Sequence, residues 1–125
     1  MSDAVAIDLP LEPASARRAR EHLEPFRETL DEIAFFDLQL LVSELVVEAL
    51  NAASKAHDAR VALRAEFRGG RIRAEVANGR GAFRLPPGRP EPGDLGLGLY
   101  LVARLSRRWG LRRGPESSSV WLEVA

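Results

Sequence analysis

The chain has 125 residues, 46% of them hydrophobic, which suits one domain with a real core and excludes both a disordered tail and a two-domain protein. Its 18 Lys and Arg balance 18 Asp and Glu, so no general electrostatic pull draws it toward nucleic acid or a membrane surface. Cysteine is absent, which excludes disulfides and thiolate metal sites, and no run of about 20 apolar residues offers a bilayer span.

Met1 to Pro10 lacks the basic-then-apolar pattern of a signal peptide. The expectation is a soluble cytoplasmic protein formed as a single domain over residues 1–125. Lys55 is the only lysine, so no Walker-type lysine is on hand to clamp a phosphate.

Ala4 to Leu9 alternates and reads as a short strand, with Pro10 and Pro13 bracketing a turn. From Ala14 to Leu23 the residues Ala16, Ala19 and Leu23 recur at helical spacing, while Arg17, Arg18, Arg20 and Glu21 take the other face. Asp31 to Ser54 carries the strongest helical signal: Leu38, Leu41, Val42, Leu45, Val46, Ala49, Leu50 and Ala53 cover most of its circumference, as in a buried helix. One polar stripe, Asp37, Glu44, Glu48 and Asn51, interrupts it at i+7, i+4 and i+3 spacing.

Arg60 to Phe67 and Arg71 to Ala77 alternate around Gly69-Gly70 and predict a β-hairpin. Asn78 to Asp94 reads as a long loop, rich in Pro and Gly. Leu95 to Arg107 reads as a helix opened by Gly96 and Gly98, with Leu97, Tyr100, Leu101, Val102 and Leu105 as core candidates. Trp109 to Arg113 and Ser119 to Val124 read as two last strands. The order β-α-α-β-β-loop-α-β-β favours an α/β sandwich: a mixed, mainly antiparallel sheet covered on one face by three helices.

Chemistry concentrates in three places. Glu44 and Glu48 are carboxylates on a helix that is otherwise apolar; the plain alternative is a solvated or salt-bridged pair. Gly96 and Gly98 stand at a helix start, where free backbone N–H groups can cradle phosphate oxygens; the alternative is an ordinary entry turn. Arg80, Arg84 and Arg89 lie in the long loop, where arginines are usually just solvated. His22 and His57 have no partners at metal-ligand spacing.

Three segments together resemble one family. Leu41-Val42-Ser43-Glu44-Leu45-Val46-Val47-Glu48-Ala49 is similar to the N-box of the GHKL (Bergerat-fold) ATPase superfamily, most of all its anti-sigma-factor serine kinase branch. Glu75-Val76-Ala77-Asn78-Gly79-Arg80-Gly81 sits where that family carries an Asp-containing glycine motif, and Gly93-Asp94-Leu95-Gly96-Leu97-Gly98-Leu99 resembles its second glycine box.

The resemblance implies a site for ATP and Mg²⁺. Glu44 would be the general base; Asn78, Gly79, Gly81, Gly93, Gly96, Leu97 and Gly98 would hold the nucleotide; Glu48 would hold the metal. Arg84 to Gly93 would be a lid. Partners implied are an anti-anti-sigma (STAS-like) protein, a sigma factor and a second copy of the chain, with no direct nucleic acid and no membrane.

Two positions depart from the pattern. Glu48 stands where the family places a metal-holding Asn, and Asn78 where it places an Asp that accepts from the adenine amino group. Glu48 adds negative charge beside a triphosphate, and Asn78 loses the charge assistance of a carboxylate. Two readings follow: an ATP-dependent regulatory serine kinase, or a protein-binding module on the same scaffold that has lost turnover. A detached histidine-kinase ATPase domain is a weaker third.

Overall fold

The computed structural model describes residues 4–52, 60–79, 97–113 and 117–125. The elements run β1 (Ala4–Pro10), α1 (Ala14–His22), a 3-10 turn (Glu24–Phe26), α2 (Glu32–Ala52), β2 (Arg60–Arg68), β3 (Arg71–Gly79), α3 (Leu97–Leu105), β4 (Arg108–Arg113) and β5 (Ser117–Val124). The five strands form one sheet in the order β1-β2-β3-β5-β4, and every pairing is antiparallel. This is the α/β sandwich expected, with its three helices on one face.

The β2–β3 hairpin turns at Gly69 and Gly70, whose φ angles of +58° and +81° lie where side-chain-bearing residues are strained. Alternation then sets the register. Val61, Leu63, Ile72, Ala74, Val76, Val120 and Leu122 all point to the helix side and are buried. They meet Leu38, Leu41, Val42, Leu45, Val46 and Ala49, each 0% exposed, which is why α2 is apolar nearly all round. α1 packs along one flank of α2 and α3 along the other. Gln39 Nε2 donates to the Arg20 carbonyl at 3.3 Å, tying α1 to α2. Asp31 Oδ1 accepts from the Ala34 N–H at 2.7 Å and caps the start of α2.

The other face of the sheet is polar. Glu123 draws Arg73 to 3.4 Å and Arg71 and Arg108 to 4.0 Å. Arg73 also lies 4.2 Å from the centre of the Trp121 ring. That ring lies over Gly110, where a Cβ would come within 2.6 Å of the indole nitrogen.

Two expectations need correction. Asn78 is not in a loop: β3 continues through it to Gly79, because Val61 and Ser118 are there to pair with it on either side. In α3 the buried residues are Leu99 and Val102, whereas Tyr100 and Leu105 are 37% and 40% exposed. A nine-residue helix with apolar side chains on every side does not declare which face it buries.

Candidate functional site

The polar stripe of α2 faces α3. Gly98, in the first turn of α3, lies directly on the second half of α2: a Cβ there would meet Glu48 Cγ at 2.7 Å and the Glu44 carbonyl oxygen at 3.0 Å. The last residue of α3, Leu105, lines a groove with Ile33 and Asp37 near the start of α2. The two helices therefore run antiparallel, with Asp37, Glu44 and Glu48 spaced along the seam.

Glu48 closes that seam chemically. Its Oε1 accepts a hydrogen bond from the Gly98 N–H at 3.1 Å. The first N–H groups of a helix have no partner inside it, and a carboxylate placed there satisfies one donor and meets the positive end of the helix dipole, worth about 0.5–2 kcal/mol. The N–H expected to cradle phosphate is thus engaged by an internal anion, and the missing side chain of Gly98 serves close helix packing. Glu44 and Glu48 are both half-buried, and the backbone of Glu44 forms part of the Gly98 contact.

A second polar cluster sits at one end of the sheet. Asn78, 3% exposed, and Ser118 are directly opposite one another on β3 and β5, on the helix-covered face that Val76 and Val120 share. Asn78 Nδ2 and Ser118 Oγ are buried and have no hydrogen-bond partner among the described residues. An unpartnered buried polar group costs about 1–3 kcal/mol, so two side by side are a standing debit that a ligand or an ordered water would remove. Ser118 was missed in the sequence. The alternation of Val120, Leu122 and Val124 puts it on the inner face, and that period-two pattern was the available signal.

The start of α2 shares a groove with Val124, at the end of β5. Asn78 and Ser118 lie at the other end of the β3–β5 pair, next to the Gly79–Ser117 pairing. α2, with 21 residues, is about 31 Å long.

Gly79 ends β3 and Leu97 begins α3. Gly81, Gly93 and Gly96, the arginines Arg80, Arg84 and Arg89, and the expected lid lie outside the described residues, as does the side chain of Asn51. His22 is exposed and bonded to the Arg18 carbonyl. Among the described residues no group of three or more His, Asp or Glu is placed to hold a metal ion, and no helix is long and apolar enough to cross a membrane.

Comparison with known proteins agrees with this geometry. Residues 9–124 match the family model for the histidine kinase-like ATPase domain. No curated protein matches the chain. Among solved structures, the histidine kinase domain of the blue-light activated histidine kinase from Erythrobacter litoralis EL346 is 26% identical with a TM-score of 0.54. That match covers 73% of this chain and 44% of the other, so the present chain corresponds to less than half of the relative's domain. With an antiparallel sheet under three helices, glycine-led helix packing on the N-box-like helix and a family match over nearly its whole length, this chain belongs to the histidine kinase-like ATPase domain family.

Proposed function

We propose that this chain is a nucleotide-binding regulatory domain that takes ATP at a site built from Asn78, Ser118, Glu48 and Gly98. The observation that carries the reading is the orphaned pair, Asn78 Nδ2 and Ser118 Oγ. A side-chain amide offers one donor beside one acceptor, which complements the amino group and adjacent ring nitrogen of adenine. The buried hydroxyl supplies a further polar contact. The residues therefore fit the base of a nucleotide. They fit Mg²⁺ less well, because Glu48 is already bonded to Gly98. Glu48 is the residue that would hold such a cation, whose charge would offset that of the phosphates.

In the finer reading the domain works as an anti-sigma-factor serine kinase does. Glu44 would take the proton from the attacking serine hydroxyl of an anti-anti-sigma (STAS-like) partner, and a sigma factor would be the second partner. Homodimerisation would use β1, an edge strand with Val5 and Ile7 half-buried. The alternative, a binding module without turnover, is favoured by one observation: the Glu48 carboxylate occupies the N–H that a phosphate would use.

Calorimetric titration of the full chain with ATP, with and without Mg²⁺, tests the reading. Saturable binding of Mg·ATP that weakens on Asn78→Leu supports it. No heat up to millimolar ATP in either condition refutes it and leaves the binding module.

A further inference from the structure

Near the start of α2 the surface carries large apolar side chains that the described residues leave exposed. Ile33 is 76% exposed and Phe36 62%, about one helical turn apart, and Leu105 of α3, 40% exposed, lines a groove with Ile33. Soluble proteins scatter single apolar residues on their surfaces, but a contiguous group of large ones marks a place that something covers. Here it borders a groove of about 500 Å³ formed by Asp31, Glu32, Ile33, Asp37, Leu105 and Val124.

The rim of that groove is of one sign. Asp31, Glu32 and Asp37 line it, and among the described residues no Lys or Arg does. Arg27 feels the charge of Glu32, but it is held by two 2.8 Å hydrogen bonds to Glu24 and lies over the Phe35 ring at 4.5 Å. Arg104, next to Leu105, lies over the Tyr100 ring. Asp31 caps α2; Glu32 and Asp37, in no salt bridge among the described residues, are left for an incoming cation.

We infer that this groove docks a basic amphipathic helix of a partner protein. Its apolar face would cover Ile33, Phe36 and Leu105, and its Arg or Lys side chains would meet Glu32 and Asp37. The charge selects this occupant. An anionic lipid surface or a nucleic acid would be repelled by the rim. A second copy meeting it two-fold would set Glu32 and Asp37 against themselves, because a two-fold interface apposes the same patch on both subunits. An amphipathic helix that places apolar anchors one turn apart matches the spacing of Ile33 and Phe36. The site lies at the far end of α2 from Glu48, so it does not depend on whether nucleotide binds.

The probe is a fluorescein-labelled 18-residue helical peptide of Leu, Ala and Arg, with a control in which each Arg is Glu. Fluorescence anisotropy with the full chain should show 1:1 binding of the Arg peptide and none of the Glu peptide. Ile33→Asn and Phe36→Asn should each weaken binding at least about tenfold. Glu32→Gln with Asp37→Asn should weaken it several-fold and flatten its salt dependence, while Glu28→Gln, on the exposed turn before α2, should not. Glu32, Ile33 and Phe36 are exposed and Asp37 is half-buried, so the variants should melt close to wild type, and the charge-neutral and apolar sets test the site separately. No binding of the Arg peptide, or equal binding by wild type and all patch variants, would overturn the proposal. So would wild-type self-association that Phe36→Asn abolishes, which would give the patch to a second copy.

Discussion

Glu48 and Gly98 hold α2 and α3 together by one hydrogen bond and one missing side chain. The carboxylate oxygen accepts the Gly98 N–H at 3.1 Å, and the hydrogen in place of a Cβ leaves room for the Glu48 side chain and the Glu44 carbonyl. If nucleotide phosphate comes to the same helix start, Glu48 is its competitor. At an effective dielectric of ~20, two unit charges about 5 Å apart repel by about 3 kcal/mol. Glu48→Asn removes that charge and keeps an acceptor for Gly98. The expected result is Mg·ATP affinity raised on the order of tenfold or more, and Glu48→Asn with Asn78→Asp should raise it further. Calorimetric titration of the series decides; identical affinities across it would remove Glu48 from the nucleotide site.

Gly98→Ala should loosen α3 from α2. The new Cβ would sit 2.7 Å from a flexible side chain but also 3.0 Å from backbone, and backbone cannot step aside alone. Such overpacking costs about 1–3 kcal/mol. Adding Glu48→Ala should recover only part of this, since the Glu44 carbonyl remains. Urea melts give both values; full recovery in the double variant would show that the side chain alone set the limit.

Ser118→Ala should stabilise the free protein. Its hydroxyl is buried without a partner among the described residues, so the change removes a desolvation cost and breaks no hydrogen bond, a gain of about 1 kcal/mol. The same change should weaken ATP binding if the hydroxyl meets the ligand. A melt showing destabilisation by that amount would mean that the hydroxyl is satisfied by an ordered water in solution.

Gly110→Ala should displace Trp121. The ring would lie within 2.6–2.8 Å of the new Cβ, and it can swing outward only by leaving Arg73. The expected loss is about 1 kcal/mol, the order of a cation–π contact plus ring burial. Tryptophan emission should shift to the red, read in a Trp109→Phe background. Unchanged emission would mean the strand moved instead of the ring.

Much of this protein was legible in the chain itself. Period-two alternation around Gly69-Gly70 specified the central hairpin, because each residue in a strand points opposite to its neighbour. The nearly all-apolar stretch from Leu38 to Ala49 announced a helix buried between other elements, and the stripe of Asp37, Glu44 and Glu48 marked its one unusual face. What faces that stripe was not written there. That Gly98 donates to Glu48 depends on α3 folding back antiparallel to α2, and no local pattern encodes the approach of two helices fifty residues apart. Likewise Asn78 became a strand residue only because β2 and β5 flank it. Its isolation beside Ser118, and the acidic groove beside Ile33, are properties of what the packing brings near and what it leaves uncovered. Local sequence dictates which way each side chain points along its own element; the free energy of burying those elements against one another dictates what it points at.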